Sequence, residues 1–156
     1  MNRRLGVVEH ELELNLVLSP ERSVPVPARL SYGSHDPYAV HITFHLDTGT
    51  PVTWVFSREL LVEGTFRPCG QGDVRIWPAR SHTAAGGGSG RGAGGEAPFG
   101  RRSVLCIALT SPAGDALLEA PLPAVAAWLE QAHRLVPPGS ELSVLDLEGS
   151  LADLLA

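Results

Sequence analysis

Val8, His10, Leu12, Leu14, Leu16 and Leu18 alternate with Glu9, Glu11, Glu13 and Asn15. A period of two places one set of side chains on each face of a strand, so the run predicts a half-buried strand of an antiparallel sheet. A strand this long bends or crosses a whole sheet. His10 falls in the inward row and reads as a core histidine. Pro25 and Pro27 lack the N–H a ladder needs, which restricts the next segment to an edge position or to a loop entering a strand over residues 28–32. Asp36-Pro37 marks a turn. Val40, Ile42, Phe44 and Leu46 form the next inward row, Asp47-Thr48-Gly49-Thr50 reverses the chain, and Val52, Trp54 and Phe56 continue the buried face. This part reads as a meander.

Ser57 suits the N-cap of a short helix with Glu59 in its first turn, and Gly64 ends it. A strand over residues 73–77 follows, closed by Pro78. Residues 84–98 are rich in Gly, Ser and Ala and predict a mobile loop, because they bury too little apolar surface to offset ordering. Gly90, Gly92 and Gly95 spell a G-x-G-x-x-G, but no βαβ unit surrounds them and the dinucleotide reading fails. Val104 to Pro121 reads as a hairpin turning at Pro112-Ala113-Gly114. One long helix covers about Pro123 to Val136, and its apolar residues fill roughly half the circumference, wider than the stripe of a single core contact. The surplus, centred on Trp128 and Leu135, points to a subunit contact; the other reading is a helix sunk deep against its own sheet. Leu147, Leu151, Leu154 and Leu155 predict a second short helix in the tail, weakened by Gly149.

The length of 156 residues fits one domain, 1–156, large enough for a hydrophobic core without staples. No apolar run is long enough to span a bilayer and no signal peptide opens the sequence, so a cytoplasmic protein is expected. Cys106, inside an apolar strand, reads as a small core side chain, and Cys69 as a turn residue; a disulfide between them does not suit that compartment. All 12 basic residues are arginine. A chain without lysine has neither a Walker A loop nor a Schiff-base amine. The net charge of −5 argues against a broad phosphate-binding surface.

His41 and His45 share a strand face, but their Cα atoms lie about 13 Å apart, too far for one zinc. Asp36, Asp47, Asp73 and Asp115 sit in or beside turns, where aspartate is favoured for local hydrogen bonds. No nucleophile elbow occurs. No catalytic, cofactor or metal residues are assigned. Arg75, Trp77 and Arg80 remain. Arg75 and Trp77 share the strand face opposite Val74 and Ile76, where an aromatic flanked by arginines could anchor a protein partner or stack a base. Equally, Trp77 could be core and Arg75 paired with an acidic neighbour.

Four segments carry a resemblance: Asp36-Pro37-Tyr38-Ala39-Val40, the run Thr53 to Leu61, Gly72 to His82 (GDVRIWPARSH), and Val104 to Leu109 followed by SPAGDALLEAP. From about Glu9 to the C-terminus the chain closely resembles the SsgA-like proteins, sporulation-specific cell-division regulators of mycelial actinobacteria, and within them the SsgB type. The Gly-rich insertion departs from that family. The resemblance implies an α+β fold: a strongly bent, partly barrel-like antiparallel sheet of about seven strands, flanked by one long and two short helices, similar to the whirly-type nucleic-acid binders and assembling as a homotrimer. It implies a non-enzymatic regulator that recruits the tubulin-like division protein FtsZ to septum sites with an SsgA-type partner. Single-stranded nucleic-acid binding is the alternative. On these terms Arg75, Trp77 and Arg80 are expected to meet the partner, and Trp128 and Leu135 the neighbouring subunits.

Overall fold

The computed structural model describes residues 6–46, 49–80 and 103–143. The Gly-rich segment 84–98 and the tail helix expected from Leu147 lie outside them. Eight strands run antiparallel: β1 (Val7–Ser19), β2 (Arg22–Gly33), β3 (Ala39–Phe44), β4 (Val52–Ser57), β5 (Cys69–Gln71), β6 (Val74–Arg80), β7 (Ser103–Ser111) and β8 (Gly114–Pro121). They form one strongly curled sheet in the order β4-β3-β2-β1-β8-β7-β6-β5. Helix α1 (Arg58–Gly64) follows β4, α2 (Leu122–Leu135) follows β8, and a helical turn begins at Glu141.

The topology is two four-stranded meanders joined at a narrow seam. β1 pairs with β2 along nearly its whole length, yet meets β8 only through Asn15↔Glu119 and Leu16↔Leu118. The N-terminal half of β1 therefore has no described strand on that side, and α2 packs there instead. The indole Nε1 of Trp128 donates to the Val8 carbonyl at 3.2 Å. Leu135 comes so close to Gly6 that a Cβ there would collide with its Cδ1. The core lies on the concave side, where Leu14, Leu30, Ile42, Ile76 and Ile107 meet Leu61 of α1 and Val125 and Trp128 of α2.

Several expectations are corrected. The described residues hold eight strands where about seven were expected; the added one, β5, is three residues long and shows no alternation to read, and Cys69 opens it rather than sitting in a turn. Pro25 and Pro27 lie inside β2, an interior strand. The His45 N–H donates to the Pro27 carbonyl at 2.9 Å, so the Pro27 nitrogen also faces β3, whose pairing stops at Phe44. Both prolines thus turn their missing donors toward the side of β3 but beyond its last ladder residue, Phe44. Pro78 does not end β6, which runs on to Arg80. β5 reaches only to Ile76, so past that point no described strand pairs with that side of β6. His10 is exposed rather than buried, since β1 at that end leaves the core.

The short helix follows its sequence closely. Ser57 Oγ accepts from the Leu60 N–H at 2.8 Å, and Thr65 is the C-cap. Gly64 acts differently from expectation. It is the last helical residue, and a Cβ there would lie 2.7 Å from the Cβ of Ile76, so its smallness lets α1 approach β6.

Candidate partner-binding surface

β6 carries all three candidates but brings only Arg75 and Trp77 together; the unbroken register to Arg80↔Ser103 turns Arg80 to the opposite face. Val74 and Ile76 point into the core, at 4% and 0% exposure, so Arg75 and Trp77 occupy the outer face. Arg75 and Arg80 are exposed and Trp77 is half-buried. Among the described residues neither arginine makes an ion pair. Arg75 therefore has no acidic partner among the described residues, and Trp77 stands outside the core cluster.

Register extends the outer face across the sheet. Trp77 pairs with Cys106, Cys106 with Glu119, and Glu119 with Asn15. Cys106 is buried as expected, and burial, with the nearby Glu119 carboxylate, pushes its thiol up to about 11. Such a thiol is a poor nucleophile at neutral pH. Cys69 is also free, and its thiol is raised by partial burial and by Glu63. Among the described residues no three His, Cys, Asp or Glu side chains gather as a metal site, and no helix is long and apolar enough to cross a membrane.

The two subunit-contact residues fare differently. Trp128 is only 1% exposed within its own chain, held by the core and by its bond to Val8. The broad apolar face of α2 is thus explained by burial against the sheet, and the Trp128 indole is not presented to a neighbour. Leu135 is half-buried beside Gly6 and keeps part of its surface open.

Sequence reasoning missed Arg58, which is 3% exposed. Its Nη1 donates to the carbonyls of Ala132 (3.1 Å) and Val136 (2.8 Å), its Nη2 to Glu141 Oε2 (2.7 Å), and its guanidinium lies 4.8 Å from the Tyr32 ring centroid. A cation placed against the last carbonyls of α2 is favoured by that helix's dipole. The Tyr32 hydroxyl donates to the Pro37 carbonyl at 2.8 Å, and burial, partly opposed by Arg58, pushes its pKa up to about 12. One residue thus ties β2, the start of α1, the end of α2 and the turn at Glu141. The sequence carried a signal: an arginine opening a helix opposes that helix's own dipole, so its charge must be satisfied elsewhere. Phe66, in the loop after α1, was also missed and is 72% exposed.

With this geometry in hand, likeness to known proteins becomes informative. The family model described as Streptomyces sporulation and cell division protein, SsgA, matches residues 26–89 and 87–141. The sporulation-specific cell division protein SsgB of Streptomyces coelicolor is 49% identical over 149 residues, covering 96% of each chain. SsgB of Thermobifida fusca is 35% identical, covering 94% of this chain and 93% of its own. Two solved structures share the fold at a TM-score of 0.77 each. One, from work on SsgB mutations that correlate with longitudinal cell division during sporulation of Streptomyces coelicolor, is 46% identical and covers 92% of this chain and 99% of its own. The other, an SsgA-like sporulation-specific cell division protein from Thermobifida fusca, is 33% identical and covers 98% of both. The protein belongs to the SsgA family of sporulation and cell-division proteins.

Proposed function

We propose that this chain is a non-enzymatic regulator of sporulation-specific cell division that recruits FtsZ to septum sites, working in the cytoplasm as one domain, as a trimer, and with an SsgA-type partner. The observation that carries this reading is its near full-length likeness to proteins named for sporulation-specific cell division. The outer face of β6 supports it, because an exposed arginine, Arg75, beside the half-buried indole of Trp77 is the composition of a protein–protein hot spot. Leu135 is kept as a subunit contact; Trp128 is not.

Two titrations of the fluorescently labelled protein test the proposal, one with FtsZ and one with poly-dT at low salt. The regulator reading predicts saturable binding to FtsZ and none to poly-dT. Salt-sensitive micromolar binding to poly-dT without binding to FtsZ would replace it with the nucleic-acid reading.

A further inference from the structure

The sheet ends at β4 on one side and at β5 on the other. Hydrogen bonds fix which backbone groups β4 turns outward. The Arg58 N–H donates to the Tyr38 carbonyl at 2.8 Å, and this pair continues the β3–β4 register, in which Ser57 opposes Ala39. Opposed residues of an antiparallel pair alternate between exchanging both backbone bonds and exchanging none. Val52, Trp54 and Phe56 therefore bond β3, while Thr53 and Val55 direct their N–H and C=O groups away from it. The other side of β3 agrees. The His45 N–H donates to Pro27 on β2, which by the same alternation leaves Val40, Ile42 and Phe44 for β4. Among the described residues no strand pairs with the outer edge of β4, and no loop bonds the backbone of Thr53 or Val55.

Exposed strand edges are normally blunted by charge, proline, a bulge or shortness. β5 is three residues long and includes Gly70, and the stretch of β1 without a described neighbour carries the exposed Glu9, Glu11 and Glu13. β4 has none of these devices. It runs Val52-Thr53-Trp54-Val55-Phe56-Ser57, without charge, proline or register shift. Thr53 and Val55 are exposed, Val55 at 53%, and Trp54 is half-buried against the core.

We propose that β4 pairs antiparallel with β4 of a second copy of this chain, about a two-fold axis at Trp54. The strand matches itself in this register. Thr53 opposes Val55 of the second copy, and both turn their backbone groups outward, so each such pair exchanges both bonds. Trp54 opposes its own counterpart and Val52 opposes Phe56, which are the aromatic and β-branched cross-strand pairs that stabilise sheets. Charge names the occupant. Two chains of net charge −5 would set carboxylates against carboxylates at Glu9, Glu11 and Glu13, whereas at β4 they meet without doing so. The contact does not rest on the regulator reading. Being two-fold, it pairs single chains or whole trimers alike.

The test is amide hydrogen exchange of the full chain, read by nuclear magnetic resonance over a range of protein concentrations, with sedimentation velocity on the same samples. The Thr53 and Val55 amides should be protected at high concentration and exchange fast on dilution, and the assembly should hold an even number of chains. Val55→Lys and Thr53→Lys each place a charge on the edge and should weaken the pairing about tenfold or more. Both positions are exposed, so both variants should keep the fold. Fast exchange at every concentration, an odd number of chains, or pairing that survives both substitutions would each overturn the proposal. So would protection that appears only when FtsZ is added, which would give the edge to a strand of that partner. FtsZ binding without pairing removes this contact and leaves the regulator reading intact; pairing without FtsZ binding does the reverse.

Discussion

Removing the Arg58 side chain leaves two carbonyls at the end of α2 and the Glu141 carboxylate without their donor. Arg58→Ala should lower the unfolding free energy by about 3–5 kcal/mol, the cost of breaking a buried pair from one side, as read by urea denaturation. The neighbourhood also makes stability depend on pH. Burial, then Arg58, lowers the His133 pKa below its ordinary 6.5. The unfolded chain then binds a proton that the folded chain refuses, so this stability is present above pH 6.5 and is lost as the pH falls toward the folded value. Glu141 follows at lower pH. Burial pulls its pKa up, but hydrogen bonds from backbone N–H groups and from Arg58 outweigh that, and it ends below 4.5. Its contribution is lost as the pH falls through that lower value. Denaturation curves from neutral to acid pH should show both steps, and His133→Gln should abolish the first. At this scale the sequence was legible where a residue answers to its neighbours in the chain, as Ser57 and Cys106 do. Arg58 answers to residues on the far side of the core, and only its conflict with the α1 dipole hinted at that.

The elements themselves were legible in proportion to their length. The alternation of β1, the β7–β8 hairpin and the apolar arc of α2 each predicted their element, because a periodic pattern over many residues has few other meanings. β5 has too few residues to show a period. Pro25, Pro27 and Pro78 misled because proline is excluded only where its nitrogen faces a paired strand, and these three lie past the last ladder residues of β3 and β5. Packing between elements gives two predictions. Gly64→Ala would drive a methyl group against the immobile Cβ of Ile76, and overpacking of that kind costs about 1–3 kcal/mol, measurable as a fall in Tm. Trp128→Ala should cost about 3–5 kcal/mol and leave the particle mass by light scattering unchanged, because the indole is used inside the chain. A smaller particle at unchanged stability would return Trp128 to the subunit interface.

For the whole molecule, two meanders share a narrow seam, with α2 filling the space where the halves part and α1 held by Arg58 against the end of α2. This frame fixes β6 from behind through Val74 and Ile76, while Arg75 and Trp77 lie on its outer face. Periodicity could assign the inward rows to the core, but it could not say which outward row is covered. For that reason Arg75, Trp77 and Arg80 were legible as candidates while Phe66, isolated in a loop, was not. The most direct measurement is co-sedimentation of the purified protein with FtsZ polymers formed in GTP, with and without the SsgA-type partner. The account predicts saturable pelleting of the wild-type protein and at least a tenfold weaker association for Arg75→Glu combined with Trp77→Ala, which is about 1.4 kcal/mol or more. Wild-type protein that stays in the supernatant under both conditions would contradict direct recruitment of FtsZ.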